Sequence, residues 1–176
     1  GVLVANLPGE NAQSVAEYCV LAMLMLARNI AAINAATRTQ PWDEARRLAA
    51  PAREITGLTV GVVGVGEIGG RVAQICARGF GMRVLGNQRR MDRLPPEAQG
   101  ADLDDLVAQS DFIVIACPLN PQTHHLFDAA RLGAMLEVEI FVAPRLEARV
   151  IGGIMRIARG LQRRMECRRV LGVGNH

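Results

Sequence analysis

The sequence predicts an α/β fold, a doubly wound parallel sheet that is incomplete or altered at its C-terminal end. Three observations carry this expectation. Short β-branched runs alternate with helix-like stretches from Leu58 onward, as strands and crossover helices do. The runs are almost wholly apolar rather than alternating, the pattern of strands covered on both faces. A glycine-rich loop joins the first run to the helix that follows it. The 176 residues are 50% hydrophobic and 21% charged, enough to bury a core and favouring one domain over two small ones.

Taken in order, residues 2–5 form a short apolar run that Pro8-Gly9 stops. Ser14, with Glu17 three residues on, makes a capping box for a helix that continues to about Ala36. That helix is apolar nearly all round, so other protein must cover it. Pro41 and Pro51 bound a polar, Arg-containing connector that holds the only Trp, Trp42. Residues 58–63 read as the first buried strand, 68–78 as a helix and 82–85 as the second strand. Residues 102–109 suggest a short acidic helix. Residues 112–116 form a third strand ended by Pro118, then come a helix over 128–135 and a fourth strand at 140–142.

Charge divides the chain in two. All twenty basic residues are Arg; residues 1–144 carry 12 of them against 15 acidic residues, net −3, and residues 145–176 carry 8 against 2, net +6. The boundary separates an expected nucleotide-binding domain (1–144) from an Arg-rich segment (145–176). Only 3% of residues are aromatic, which argues against a protein that stacks on single-stranded bases. Four dispersed cysteines (Cys19, Cys76, Cys117, Cys167) form no CxxC pair, so neither zinc nor a disulfide framework is expected, and a reducing cytoplasm is. The longest apolar run, residues 18–27, is too short for a bilayer span. The chain opens on Gly1 without Met or a charged leader, as expected of a piece of a longer protein.

The chemistry concentrates in Gly64-Val65-Gly66-Glu67-Ile68-Gly69. A lone G-x-G-x-x-G is a weak signal; one placed between a strand and a helix is the fingerprint of a Rossmann-type dinucleotide site. Gly64 permits the tight turn, Gly66 the approach of a pyrophosphate, and Gly69 close packing of helix on strand. Free N–H groups at the helix start hold the phosphates. Eighteen residues past Gly69, where a carboxylate would take the adenosine ribose, stands Asn87, followed by Gln88-Arg89-Arg90. Guanidiniums there suit a 2′-phosphate, which favours NADP over NAD. The alternative is that both arginines are solvated loop charges.

Further segments fall in a fixed order around this loop. They are Asn11-Ala12-Gln13-Ser14-Val15-Ala16-Glu17, Gly57 through Gly69, Phe80-Gly81-Met82-Arg83-Val84, Ser110-Asp111-Phe112, and Cys117-Pro118-Leu119-Asn120-Pro121-Gln122-Thr123. Together they resemble the nucleotide-binding domain of the D-isomer-specific 2-hydroxyacid dehydrogenases. The resemblance implies hydride transfer between a nicotinamide cofactor and a 2-hydroxy acid or its 2-oxo acid. It places Glu67 and Ile68 at the pyrophosphate, Asn87 at the usual ribose aspartate, and Cys117, Pro118 and Thr123 along the cofactor. Read without it, Pro118 is a strand terminator and Thr123 a capping hydroxyl. The resemblance also implies a homodimer formed around the long helix and its connector.

Beyond residue 142 the pattern is lost. The family's Asn-x-x-Arg-Gly turn is replaced by Ala143-Pro144-Arg145-Leu146, leaving Arg145 as the candidate for the substrate carboxylate. The Glu and Pro-His segments of the family's acid–base pair have no counterpart; Glu147, Glu166 and His176 lack their contexts. His124 and His125 read as surface histidines. The competing readings are a dinucleotide-binding or regulatory module without chemistry, and a methyltransferase, which the segments before Gly57 and after Cys117 oppose. Arg156, Arg159, Arg163, Arg164, Arg168 and Arg169 suit either a basic amphipathic helix for nucleic acid or membrane, or translation in a shifted frame. The shifted frame is favoured, because composition and family pattern change together, and nucleic acid and membrane partners are not expected. A shifted frame predicts that another frame of the encoding DNA carries an Asn-x-x-Arg-Gly turn followed by Glu and Pro-His segments. Their absence from both other frames refutes it.

Overall fold

The computed structural model describes residues 9–128, 131, 138–142 and 154–157. Six strands form one sheet in the order β3-β2-β1-β4-β5-β6. They are β1 (Thr59–Val63), β2 (Arg83–Asn87), β3 (Gln99–Gly100), β4 (Phe112–Ile115), β5 (Val138–Val142) and β6 (Ile154–Ile157). The first five run parallel, and β6 pairs antiparallel with β5. The chain thus lays strands outward from β1 on one side, then returns to place β4 on the other. The expected doubly wound α/β architecture is present.

Alternation within the strands explains why both faces are apolar. Val60 and Val62 of β1, Val84 of β2, and Phe112 and Val114 of β4 belong to one buried cluster. Helices α1 (Ala12–Ala27) and α4 (Glu67–Gln74) cover it through Ala16, Cys19, Met23, Val72 and Ala73. Val63, Leu85 and Ile113 point to the other face, under Leu106 and Val107 of α5 (Leu103–Gln109). Gly61 lets α5 sit close: a side chain there would meet Ser110 Oγ at 2.5 Å and Leu106. The Ser110 hydroxyl, buried, donates to Leu106 O at 2.7 Å, so it carries no unmet bond.

The N-terminal helix differs from expectation in two ways. It begins two residues before Ser14, with Asn11 at the N-cap and no side-chain cap; Glu17 instead accepts from Gln13 Nε2 at 2.7 Å. It also breaks. Asn29 adopts a left-handed conformation (φ 52°), its Nδ2 donates to Leu48 O at 3.1 Å, and the axis turns 62° into α2 (Ile30–Ala36). Asn is among the few residues that take this conformation cheaply. No single helix among the described residues is long and apolar enough to cross a membrane. The connector contains a further short helix, α3 (Trp42–Arg47).

Elsewhere the differences are small. After Gln74 the expected single helix widens into a π-helical turn over Ile75–Gly79. The two-residue β3 has no apolar run to announce it. Arg156, the first arginine of the candidate basic helix, lies instead in the edge strand β6; β-branched Ile suits a strand, and β5 offered an open edge. Of the helix expected over 128–135, Asp128 Oδ1 accepts from Arg131 N at 2.9 Å; most of its remaining positions, the run at residues 2–5 and Cys167 lie outside the described residues.

One polar cluster closes the end of the sheet away from the glycine loop. Asp111 Oδ2 accepts from Thr59 N at 2.9 Å, and Asp111 N donates to Thr59 O at 2.8 Å. The Arg53 guanidinium lies 3.8 Å from Asp111 Oδ1 and 5.5 Å from the Phe112 ring centroid, while Arg53 N donates to Ala27 O. Connector, α1, β1 and β4 therefore meet at one carboxylate. The ion pair is half exposed and worth little, so the bond to the Thr59 amide dominates. Asp111→Ala should lower stability by about 1–3 kcal/mol in urea unfolding, and Asp111→Asn, which keeps an acceptor oxygen, by less than half of that. Equal losses would move the weight onto the charge.

Candidate functional site

Where strand order reverses, the loops after β1 and β4 diverge and leave a crevice at the carboxyl ends of the strands. A cleft of about 1030 Å³ opens there. Its floor is the glycine loop, and each glycine answers a separate demand. Gly64 has φ 92°, and a Cβ on it would stand 2.5 Å from Cys117 N and 2.6 Å from Cys117 Cα. Gly69 packs its backbone against Gly64 O, and a Cβ there would stand 2.9 Å from Val62 Cγ1. Gly66 meets nothing within 4 Å and faces the open cleft.

Helix α4 starts at Glu67 with Gly66 at its N-cap. Helix geometry leaves the first N–H groups, those of Glu67, Ile68 and Gly69, without intrahelical acceptors, and the helix dipole adds partial positive charge. A phosphate fits such a place without a side chain. Gly64 and Gly66 line the cleft, as does Glu67, whose side chain also neighbours Gly9. Ile68 and Gly69 do not. The Ile68 side chain packs against the core and Gly69 is buried, so they support the loop from behind.

The second wall follows β2. Asn87, Gln88, Arg89 and Arg90, the candidate cofactor contacts of this segment, all line the cleft. Asn87 Nδ2 donates to Ala101 O at 2.9 Å, Asn87 O accepts from Gly64 N at 2.8 Å, and Gln88 Nε2 donates to Arg90 O at 2.8 Å. These bonds fix the loop on which the arginines stand. Arg89 and Arg90 are exposed, and among the described residues neither has a carboxylate within ion-pair distance. Arg93, Arg71 and Gln74 line the same cleft and were not singled out from sequence. Arg93 carried a signal, as a third guanidinium on the loop that begins at Asn87; Arg71 carried none, being an ordinary polar position of a helix.

The third wall is the loop after β4. Cys117, Pro118 and Thr123 line the cleft, with Asn120 and Gln122 beside them. The Thr123 hydroxyl donates to Pro118 O at 2.6 Å and accepts from Asn120 N at 2.9 Å, while Asn120 Oδ1 accepts from the amides of Gln122 and Thr123. Thr123 thus holds the turn together, close to the capping role open to it from sequence. Burial raises the Cys117 thiol above its ordinary range, offset in part by a backbone hydrogen bond. Cys19 and Cys76, deep in the core, are pushed up to about 12 by burial. His124 and His125 are exposed neighbours with ring centroids 3.9 Å apart, outside the cleft lining. Among the described residues no group of His, Cys, Asp and Glu suits a metal ion. Arg145, Glu147, Glu166 and His176 lie outside the described residues.

A glycine floor open to phosphate, helix N–H groups and two polar walls together fit a dinucleotide. Comparison with known proteins agrees. Residues 20–143 match the family described as D-isomer specific 2-hydroxyacid dehydrogenase, NAD binding domain. The hydroxypyruvate reductase of Thermotoga maritima is 33% identical over 142 residues, 81% of this chain and 45% of that protein. The D-3-phosphoglycerate dehydrogenase of Methanocaldococcus jannaschii is 33% identical over 146 residues, 81% of this chain and 27% of that one. The NAD-dependent formate dehydrogenase of Staphylococcus aureus, solved in complex with NAD, superposes with a TM-score of 0.66 at 31% identity, covering 72% of this chain and 38% of that one. The chain thus spans less than half the length of these relatives. It belongs to the D-isomer-specific 2-hydroxyacid dehydrogenases, of which it carries the NAD(P)-binding domain.

Proposed function

We propose that the chain is the cofactor-binding part of an NADP-preferring dehydrogenase that interconverts a small 2-hydroxy acid and its 2-oxo acid. The observation that carries the cofactor preference is the wall after β2, where Asn87 stands without a carboxylate and Arg89, Arg90 and Arg93 line the cleft. A carboxylate there would repel a 2′-phosphate; guanidiniums bind one bidentately. When bound, the nicotinamide supplies or accepts the hydride. The chain's own residues hold the diphosphate on the glycine loop and exclude water along the wall from Cys117 to Thr123. The substrate class rests on relatives that carry the names of hydroxypyruvate reductase and D-3-phosphoglycerate dehydrogenase.

The protein acts in the cytoplasm as a homodimer in this reading. Exposed apolar side chains on three successive helices support the dimer: Leu21 (51% exposed), Ile30 (45%) and Trp42 (68%). A second reading is a dinucleotide-binding module without chemistry; among the described residues the cleft lining holds no His and a single carboxylate, Glu67. Coenzyme titration followed by turnover of glyoxylate or hydroxypyruvate separates the two, because the module binds and does not turn over.

Two outcomes test the proposal. Arg89→Ser/Arg90→Ser should weaken NADPH binding by about tenfold or more and NADH binding by less than about twofold, read by fluorescence titration. Equal affinities in the parent chain, or a preference for NADH, refute the preference. Alkylation of the native protein at pH 8, mapped by mass spectrometry, should label Cys117 slowly and leave Cys19 and Cys76 untouched, since burial keeps those two thiols protonated. Saturating NADPH should protect Cys117; an unprotected Cys117 would place the coenzyme elsewhere.

A further inference from the structure

Arg71 is the least explained polar side chain of the cleft. It stands one helical turn after Glu67 on α4 and lines the cleft. Its Nη1 donates to Gln13 Oε1 at 3.2 Å, and Gln13 Nε2 in turn donates to Glu17 Oε1 at 2.7 Å. Its Nε is buried and bonds to nothing. No carboxylate among the described residues lies within ion-pair distance of it. A neutral amide therefore orients this guanidinium without neutralising it, and a desolvated donor is left open. Such a donor is costly unless something else completes it.

The enclosed Nε lies out of a ligand's reach; the Nη groups are the donors Arg71 has to offer the cleft, and its position says toward what. Long helical side chains lean toward the helix N-terminus, and one turn covers about 5.4 Å, so Arg71 reaches back toward the phosphate-binding end of α4. That end carries the Glu67 carboxylate, also in the cleft lining, which opposes an anion. A guanidinium one turn behind it offsets that charge. Arg89, Arg90 and Arg93 stand on the separate wall after β2. The four arginines thus divide into two groups at two places in one cleft.

We propose that Arg71 donates to the cofactor's diphosphate, the anion shared by NADH and NADPH, and that Gln13 is the positioning residue that holds it there from α1. This rests on the cofactor reading above and differs from it in what it predicts. Arg71 serves both coenzymes equally, whereas Arg89 and Arg90 discriminate between them.

The test is fluorescence titration of the full chain with NADH and with NADPH, beside thermal melts without ligand. Arg71→Met should weaken both coenzymes by one common factor, about tenfold for a lost charge-assisted bond. Arg71→Lys keeps the charge and the helix but loses the fork of donors. It should weaken both by a smaller common factor with an unchanged melting temperature. Gln13→Ala should weaken both by about twofold to fivefold, because Arg71 remains but is no longer held. Loss confined to NADPH puts Arg71 on the 2′-phosphate and overturns the proposal. Unchanged affinity for both coenzymes in a folded Arg71→Lys protein overturns it while leaving the cofactor reading intact. Failure of the parent chain to bind either coenzyme removes both.

Discussion

The close approach of two backbones, Gly64 at the end of β1 and Cys117 just past β4, is the constraint on which the site depends. Nothing larger than hydrogen fits between them, so the two chains part only beyond that point, and where they part the cleft begins. Gly64 N also donates to Asn87 O, which ties the end of β2 to the same place. Three strand ends are thereby brought together, and each loop that lines the cleft starts from one of them. A substituent on Gly64 would not merely fill a gap; it would separate the walls of the cofactor site from one another.

Charge is organised around this frame more sharply than the formal +3 of the whole chain suggests. Positive side chains that serve the fold are paired: Arg53 with Asp111, Arg78 with Glu97 and Arg131 with Asp104. Glu97 is held below the usual carboxylate range by a backbone hydrogen bond at its own position, and by Arg78. Those of the cleft have no carboxylate partner among the described residues, and they face a lining that contains one carboxylate, Glu67. Guanidiniums without carboxylate partners around a concave surface suit an anion, and a nucleotide cofactor carries its charge in phosphates.

Legibility in the sequence followed how far each feature depends on distant neighbours. The strands β1, β2 and β4 were readable because a buried parallel strand must be apolar at nearly every position. The glycine loop was readable because Gly64 and Gly69 answer steric demands of the backbone while Gly66 leaves the cleft floor bare. Helix α1 was readable as a helix but not in its limits, since Asn29 breaks it through a bond to Leu48 in the connector. The capping box of Ser14 and Glu17 lost to Asn11, and Glu17 went to Gln13. Strand β3 is short and exposed, so no local pattern marks it. Arg71 became visible only when α1 and α4 were in contact, because its orphaned Nε is a property of packing.

The bond between Thr59 and Asp111 also has a bearing on the order of assembly. Its partners are 52 residues apart, and the whole of α4, β2, β3 and α5 lies between them. Strand β1 can acquire β2 through a short crossover, but its other edge stays open until β4 has been made and returned. Loop closure over that distance is an entropic toll the local contacts cannot lower, and contacts of high sequence separation slow folding. The cleft, whose floor follows β1 and whose third wall follows β4, therefore cannot take shape before that return. On a ribosome it would form only after the segment through Ile115 had emerged, and until then β1 would present an unpaired edge to its surroundings.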